Sequence, residues 1–403
     1  MVSYPEDWKS LQLKDIGYIQ MCRRIFQDQT KKSGQIPFYK IGTFGGKADA
    51  YISRELFEQF RSMYPYPEKG DVLLSAAGTV GKTVVFDGRD SYFQDSNIVW
   101  LKVNENEVDK RFLYYFYKSF PWKALEGTTI GRLYNNIILD TNINLPIILE
   151  QQSIVLVLSD FDKHIENLIE LIEKKKFIRD GVMENLVSGR NRIDGFDGEW
   201  EEKSLNELCY LITKQTGFDY SAEIKPSLVL KKQDGVLPFI QNKDFEKCRI
   251  NYNTDFYIPK GVAEKYPQIL LDEICLLISI SGRIGNVAVF DNNHLAFAGG
   301  AVGIAKLIKP ELAEWCMYFL LSEQGQKQIF KYEKVGAQHN LTIEDVRKLR
   351  IKIPSTKERE SITSILNSID VEIEVLESEK VKMIGIREGA MDDLLTGRVR
   401  LKI

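Results

Sequence analysis

The sequence contains few of the residues on which metal binding and nucleophilic catalysis depend. Its 403 residues include three histidines and five cysteines. None of them stands at a spacing typical of metal ligands or in a Cys-x-x-Cys pair. The sequence motifs of serine hydrolases, zinc proteases and dinucleotide-binding enzymes are missing as well. We therefore expect neither a metal site nor a catalytic residue on this chain.

Long apolar runs and a strong excess of one charge are also missing. Apolar stretches such as residues 154–158 and 274–280 are far shorter than the roughly 20 residues that a bilayer span needs. The N-terminus lacks the pattern of a signal peptide, and the scattered cysteines fit a reducing compartment. Lys and Arg number 54 against 57 Asp and Glu, whereas a solitary DNA-binding protein usually carries a clear positive excess. The sequence predicts a soluble, cytoplasmic protein of two or three globular domains.

The most informative feature that is present is an internal repeat. Residues 127–190 and 336–398 are two versions of one segment, without gaps between them. Weaker similarity continues upstream, so the chain is one unit of about 200 residues written twice, a period too long for a solenoid or propeller. The matches 208 positions apart include Leu133 with Leu341, Pro146 with Pro354, Glu150 with Glu358, Ile154 with Ile362, Asp162 with Asp370, Met183 with Met391 and Gly189 with Gly397.

Each copy ends in a heptad pattern, which predicts a long helix with a coiled-coil seam. A helix over about residues 150–187 would be roughly 55 Å long, and both helices are predicted to end at a glycine, Gly189 or Gly397. We expect the two helices to run antiparallel against each other. The alternative is that each helix packs only on its own globule. The predicted seam consists of Ile154, Leu158, Phe161, Ile165, Leu168 and Ile172 in the first helix and of Ile362, Leu366, Ile369, Ile373, Leu376 and Met383 in the second.

The stretch before each helix predicts a mixed α/β globule. Residues 35–44, 70–87 and 97–103 are rich in Val, Ile, Phe and Tyr and are punctuated by Gly and Asp-Gly, a composition typical of strands and turns. Residues 112–119 predict a short helix. The expected fold class is α+β, with two similar globules, two long helices and a pseudo-twofold internal repeat.

One segment resembles a phosphate-binding P-loop but departs from it. Residues 76–83 contain Gly81 and Lys82, yet Ala76 occupies the place of the first P-loop glycine, and the second copy has no equivalent lysine. Both copies share only their two glycines. We interpret the segment as a turn between strands and not as a nucleotide-hydrolysis site.

Polar residues in equivalent places predict contacts with DNA. Arg, Asn and Gln side chains read base edges, and Lys and Arg bind phosphates. The alternative is an ordinary solvated surface, because basic dipeptides are common there. The candidate residues are Lys31, Lys32, Lys40, Lys82, Arg132, Tyr134, Asn135 and Asn136 in the first copy and Lys231, Lys232, Lys243, Arg283, Gln338, His339 and Asn340 in the second.

In this combination the sequence resembles the specificity (S) subunit of type I restriction-modification systems over essentially its whole length. The resemblance is carried by residues 70–74 with 78–82, by residues 336–341, by Pro146 followed by Glu150 and Gln151, and by the helix end at residues 186–190. It implies a target recognition domain over 1–148, a long spacer helix over 149–195, a second target recognition domain over 196–355 and a second spacer helix over 356–403.

The resemblance also implies a non-catalytic role within a larger complex. Each recognition domain would read one half of a bipartite double-stranded DNA target, and the helices would form an antiparallel coiled coil that sets the spacer and docks two modification (methyltransferase) subunits. S-adenosylmethionine, ATP and Mg would be bound by partner subunits, including restriction subunits, and none by this chain.

Two departures and several alternatives accompany this resemblance. Glu150 and Gln151 correspond to Glu358 and Arg359, and residues 70–71 align near residues 272–273 with an insertion. These changes leave the fold plausible but affect strand or partner contacts in the second half. The alternatives are a specificity subunit of an inactive or recognition-switching locus, a coiled-coil scaffold that does not bind DNA, and a fused nuclease or methyltransferase. The missing Asn-Pro-Pro-Tyr and Asp-Pro-Pro-Tyr motifs argue against a methyltransferase.

Overall fold

The computed structural model describes residues 4–122, 131–216, 219–246, 248–331 and 340–401. The chain divides into two compact units, one formed by Met1–Glu170 with Glu377–Ile403 and the other by Leu171–Leu376. Each unit combines a globule with a segment of each of two long helices, Ile148–Val187 and Thr356–Thr396. The expected α+β class is confirmed. The sequence-based borders between globules and helices stay predictions.

The globule of unit 1 is built around an antiparallel sheet in the order Gly17–Gln20, Ile98–Val103, Val72–Ser75 and Thr83–Val85. A three-stranded sheet has the order Ala50–Ile52, Ile36–Tyr39 and Tyr92–Phe93, and Lys9–Gln12 pairs with Asn142–Leu145. The predicted β-rich segments contain the strands Ile36–Tyr39, Val72–Ser75, Thr83–Val85 and Ile98–Val103, whereas the other five strands described in this unit lie outside those segments. The predicted helix over 112–119 begins at Lys110. The helices are Leu13–Ile16, Arg54–Met63, Lys110–Ser119 and Asn135–Leu139, with a 3₁₀ turn at Gln27–Gln29.

Unit 2 repeats this plan. Its antiparallel sheet has the order Cys209–Lys214, Val302–Leu307, Cys275–Ser279 and Val287–Phe290, and Glu201–Ser204 pairs with Arg350–Ile353. A second sheet has the order Tyr257–Pro259, Val236–Ile240, Ala296–Ala298 and Leu270–Leu271, and a short ribbon joins Phe245–Glu246 to Arg249–Ile250. The helical segments are Leu205–Leu208, Tyr220–Ile224, Lys225–Ser227, Lys260–Ala263, Pro310–Leu312, Ala313–Leu321, Glu323–Lys331 and Ile343–Arg347.

The central strands are apolar because both faces of the sheet are covered. Along Ile98–Val103, Ile98 and Trp100 point into a core shared with the three-stranded sheet. Val99 and Leu101 point into the core beneath the helix Lys110–Ser119 and the start of the first long helix. Successive strand residues face opposite sides, so a continuous apolar run marks a strand buried on both faces.

The two long helices run antiparallel in each unit. In unit 1, Arg387 donates a hydrogen bond to Asp162 at 2.8 Å, and His164 lies 3.4 Å from Glu379. The residue number therefore falls along one helix as it rises along the other. In unit 2, Lys175 lies 2.8 Å from Glu372, and Arg179 bonds Asp370 at 3.2 Å. The predicted antiparallel helix pair is confirmed.

The alternative, that each helix packs on its own globule, describes the first turns only. Ile154 and Leu158 belong to the core of the unit 1 globule, and Ile362 and Leu366 belong to that of unit 2. The last turns also enter globule cores, with Met183 and Val187 in unit 2 and Leu394 and Leu395 in unit 1. Each helix therefore packs on a globule at its beginning and at its end, and the ion pairs described above join the two helices between these turns.

Equivalent ion pairs hold the beginning of each long helix. In unit 2, Arg192 donates two hydrogen bonds, of 2.5 and 2.7 Å, to Glu358, whose side chain is 1% exposed. The Trp200 indole donates to the same carboxylate at 3.2 Å. In unit 1, Arg400 donates to Glu150 at 2.5 and 2.8 Å. The change from Gln151 to Arg359 beside these glutamates therefore leaves the pairing itself intact.

Both long helices end at a glycine, as predicted. Gly189 and Gly397 have φ angles of +71° and +69°, the left-handed conformation that glycine adopts without strain. The N–H of Asn191 donates to the carbonyl of Asn185, and that of Val399 donates to the carbonyl of Asp393. These bonds satisfy carbonyls that the helix itself leaves free.

The second departure changes an ion pair. Asp71, which is buried, pairs with Lys110 of a helix at 2.8 Å in unit 1. In unit 2, Asp272 and Glu273 pair instead with Lys306 of the central sheet, at 3.2 and 2.8 Å. The lysine of this ion pair thus lies on a helix in unit 1 and on a strand in unit 2.

Candidate nucleic-acid interface

The glycine-containing segment of unit 1 is the turn of a β-hairpin. The Ser75 hydroxyl accepts the N–H of Lys82 at 2.8 Å and donates to the carbonyl of Thr79 at 2.5 Å. Gly78 and Gly81 have φ angles of +65° and +85°, which residues with a Cβ adopt only at a cost. The interpretation as a turn between strands is confirmed.

Unit 2 has the same hairpin turn. Gly282 and Gly285 have φ angles of +74° and +97°. The N–H of Ser279 donates to the carbonyl of Asn286 at 2.9 Å, and the Gln326 side chain donates to the carbonyl of Gly285 at 2.8 Å. Arg283 is exposed in this turn.

The polar segments predicted to contact DNA pair with these hairpins. In unit 1 the N–H of Leu133 donates to the carbonyl of Ala76 at 2.7 Å, and Arg132 forms a β-bridge with Ala77. In unit 2 the N–H of Leu341 donates to the carbonyl of Ile280 at 2.8 Å, and Asn340 forms a β-bridge with Ser281. The structure therefore brings together two groups of residues that the sequence predicted separately.

A third segment, the loop after the Pro-Phe strand, joins them in both units. In unit 1 the Ile41 side chain lies against Gly78, 3.4 Å from where a Cβ would stand. In unit 2 the Asn242 side chain donates to the carbonyl of Ser281 at 2.6 Å. We call the surface of these three segments, residues 40–46, 76–82 and 131–136 in unit 1 and residues 241–244, 280–286 and 340–341 in unit 2, the hairpin surface.

A cleft of about 650 Å³ adjoins the hairpin surface of unit 1. It gathers three predicted residues, Lys31, Lys32 and Lys40, which lie up to nine positions apart in the sequence. Gln94 also lines the cleft, and its side-chain oxygen accepts the N–H of Ile41 at 2.9 Å. The cleft is therefore continuous with the loop over residues 40–46.

Two cations in this cleft are paired with carboxylates. Lys40 lies 2.8 Å from Asp49, and Arg24 bonds Asp95 at 2.9 Å. Lys31 and Lys32 are exposed. Arg24 and Gln94 could not be selected from the sequence, because no motif marks them and only the fold places them beside the lysines.

The other candidates of unit 1 lie on the hairpin surface. Lys82 is exposed beside Gly45. The Arg132 guanidinium lies 5.8 Å from the centre of the Tyr134 ring, a separation at which a cation and an aromatic face attract each other. Asn135 and Asn136 are exposed at the start of the helix Asn135–Leu139.

The candidates of unit 2 are more spread out. Lys231 and Lys232 are exposed just before the strand Val236–Ile240. Lys243 follows Asn242 on the hairpin surface and pairs with Asp255, and its amine lies 6.0 Å from the Phe256 ring centre. Asn340 is exposed. Gln338 and His339 lie outside the described residues.

The predicted seam residues differ in their exposure to solvent. Seven of the twelve are buried and the other five are half-buried. The buried ones are Ile154, Leu158, Leu168, Ile172, Ile362, Leu366 and Ile373. The half-buried ones are Phe161, Ile165, Ile369, Leu376 and Met383.

The buried residues include the first two seam positions of each helix, which pack on the globules. The half-buried residues lie farther along the helices.

The cysteine side chains lie outside the hairpin surface of both units. All five cysteines are free thiols. Burial raises the pKa of Cys22, Cys209 and Cys275 to about 12 in each case, and a protonated thiol is a poor nucleophile. Over the described ranges, no cluster of three His, Cys, Asp or Glu residues is placed to hold a metal ion, and no helix combines the length and hydropathy of a membrane span.

Comparison with known proteins identifies the family. The sequence matches the family described as type I restriction modification DNA specificity domain over residues 5–174 and again over residues 197–383. A putative type I restriction enzyme specificity subunit from Haemophilus influenzae is 51% identical over 162 residues, which are 40% of this chain and 42% of that protein. The putative MjaX specificity subunit from Methanocaldococcus jannaschii is 27% identical over 430 residues, covering 99% of this chain and 95% of that protein.

Solved structures show the same fold. The S subunit of a type I restriction-modification system from M. genitalium aligns with a TM-score of 0.57 at 15% identity, over 100% of this chain and 98% of that one. A chain from a study of complex assembly in the type I R-M system aligns with a TM-score of 0.56 at 16% identity, over 98% of this chain and all of that one. The chain therefore belongs to the type I restriction-modification DNA specificity family and carries the specificity domain twice.

Proposed function

We propose that this chain is the non-catalytic DNA specificity subunit of a type I restriction-modification complex and that each unit reads one half of a bipartite target. The observation that carries the proposal is the duplicated hairpin surface. The same three segments meet in both units, while side chains at equivalent positions differ, as in the apolar Ile41 against the polar Asn242. A shared frame with different side chains suits two half-sites of different sequence.

The cleft of unit 1 supports contact with the DNA backbone. Four cations line it, and only two carboxylates oppose them. Arg24 and Lys40 are paired, which leaves the exposed Lys31 and Lys32 as the stronger candidates for phosphate contact. Asn and Gln side chains such as those of Gln94 and Asn97, also in the cleft lining, have the donors and acceptors that base edges require.

The long helices are proposed to set the spacer and to dock two modification subunits. Apolar side chains remain exposed on both of them, although the antiparallel pair already buries other apolar positions. Exposed apolar residues that recur along an element are typical of protein interfaces. They are Leu149, Leu156, Ile169, Leu171, Phe177, Ile178, Ile365, Val371, Val375, Val381 and Ile386.

Catalysis is assigned to the partners. In this proposal the modification subunits bind S-adenosylmethionine and methylate adenine, and restriction subunits use ATP and Mg for translocation and cleavage. The net charge of −3 fits such sharing, because partner subunits would supply much of the positive charge that neutralises DNA phosphates.

Charge reversal in the cleft tests the DNA contact. In the complex with the modification subunit, Lys31→Glu with Lys32→Glu is expected to weaken target binding about tenfold at 0.1 M salt. It is also expected to lower the log–log salt slope by about 2, because each lost phosphate contact removes about one unit. The measurement is fluorescence anisotropy of labelled duplex over a salt series.

The matched control reverses two exposed lysines elsewhere, Lys265→Glu with Lys309→Glu. It changes the net charge of the chain by the same amount and is expected to leave the salt slope within about half a unit of the parent value. Equal slopes for the two double variants would contradict a phosphate contact in the cleft.

A further inference from the structure

A three-residue polar network joins the globule of unit 1 to both long helices. The Tyr115 hydroxyl, from the globule, donates to Asp162 Oδ2 of the first helix at 2.8 Å. Arg387 Nη1 of the second helix donates to Asp162 Oδ1, also at 2.8 Å. Tyr115 is 4% exposed, and the Arg387 side chain is 16% exposed. One carboxylate thus ties three elements together.

Unit 2 contains the same network with the helices exchanged. The Tyr318 hydroxyl lies 2.8 Å from Asp370 Oδ2 of the second helix. Arg179 Nη1 of the first helix donates to Asp370 Oδ1 at 3.2 Å. Arg179 and Arg387 are equivalent in the internal repeat, as are Asp162 and Asp370. The repetition of all three partners shows that the network is a feature of the duplicated unit.

The energetics of such a network favour a geometric role. A buried ion pair loses solvation that its attraction barely restores, so apolar residues of similar size often stabilise a protein as well or better. Apolar contacts along a helix pair are not directional, whereas hydrogen bonds require defined distances and angles. Burial raises the pKa of Tyr115 and of Tyr318, which keeps both hydroxyls protonated as donors.

We propose that the Arg-Asp-Tyr network of each unit is a positioning device that fixes its globule at one place along the helix pair. The inference rests on the proposed function, in which the helices set the spacer between half-sites. Tyr115 and Tyr318 position the globule against the aspartate of each network. Arg387 and Arg179 position the other helix of the pair against the same aspartate. Losing the network lets the globule shift without unfolding it.

The test replaces the unit 1 network by apolar residues, as Tyr115→Phe, Asp162→Leu and Arg387→Met. The melting temperature is expected to stay within about 4 °C of the parent value. In the complex with the modification subunit, methylation at sites whose spacer differs by one base pair is expected to rise about tenfold relative to the correct site, a shift of about 1.4 kcal/mol in preference. The control, His164→Met with Glu379→Leu, removes an exposed pair on the same helices and is expected to keep a single spacer.

A distance measurement tests the positioning role of the network separately from the proposal that the helices set the spacer. Nitroxide labels introduced as unnatural residues at Gln59 and Glu388, both exposed in unit 1, report the position of the globule on the helix pair by pulsed electron paramagnetic resonance. The triple variant is expected to broaden their distance distribution, and the control is not. An unchanged distribution in the triple variant overturns the positioning role of the network and does not affect the proposal that the helices set the spacer. A broadened distribution with an unchanged spacer supports the positioning role but overturns the proposal that the helices set the spacer.

A milder variant covers the case in which the triple variant does not fold. Tyr115→Phe alone removes one hydroxyl and keeps the ion pair between Asp162 and Arg387. It is expected to broaden the same distance distribution by less. A distribution identical to that of the parent would overturn the role of Tyr115 in holding the globule.

Discussion

Inserting seven residues into each long helix, after Glu170 and after Leu376, is expected to abolish methylation at the original target and to lengthen the accepted spacer by about three base pairs. A heptad keeps the seam in phase and adds about 10.5 Å of helix, and base pairs are spaced about 3.4 Å apart. Three base pairs also rotate one half-site by about a third of a turn, so slower methylation is expected at the new spacer. Sequencing of methylated adenines in cells that carry the variant complex measures both effects.

The control insertion has the same length but leaves the helices unchanged. Seven Gly and Ser residues placed between Gly195 and Gly198, where a side chain would meet no neighbour at either glycine, are expected to preserve the original spacer. If the double heptad variant methylates the original spacer as the parent does, the helices do not set the distance.

Replacing Arg192 by Ala is expected to destabilise unit 2 by about 2–3 kcal/mol. The substitution leaves the Glu358 carboxylate, 1% exposed, with the Trp200 indole as its remaining side-chain donor. Removing one partner of a buried charged pair leaves the cost of burying the other charge. The midpoint of urea unfolding, followed by tryptophan fluorescence, measures the loss.

Arg190→Ala is the matched control, since Arg190 is 63% exposed and lies 3.8 Å from Glu184 and 3.7 Å from Glu323. Exposed pairs of this kind contribute little, so we expect a change within about 0.5 kcal/mol. Equal unfolding midpoints for the two variants would show that the Glu358 pair does not hold the helix start.

Local patterns in the sequence predicted the helices and the hairpin turns. The heptads around Leu168 and Ile373 repeat within a few residues, and Gly78 and Gly282 stand where a positive φ is required. Such signals need no knowledge of distant segments. The internal repeat added a further constraint, because a pattern found in one copy could be checked in the other.

Contacts between distant segments could not be predicted in this way. Asp162 and Arg387 are 225 positions apart, and Tyr115 precedes Asp162 by a different interval from that between Tyr318 and Asp370. Comparing the repeats at one fixed separation therefore misses the tyrosines. One signal was available, because Arg387 continues the apolar seam of the second helix, and a charged residue at a seam position needs a partner.

The unit 1 cleft illustrates the same limit at the candidate site. Lys31 and Lys32 could be selected from their position before the Pro-Phe strand, whereas Arg24 and Gln94 become neighbours only through the fold. Base-reading side chains depend on loop geometry that composition does not encode. The half-site sequences follow from that geometry and not from any motif in the chain.

The most direct measurement is single-molecule sequencing of methylated adenines in host DNA after co-expression of this chain with its modification subunit. We expect a new methylation pattern confined to one split motif, with two short half-sites around a fixed gap. A complex that forms and methylates a continuous motif, or that adds no methylation at all, would contradict the assignment of one half-site to each unit.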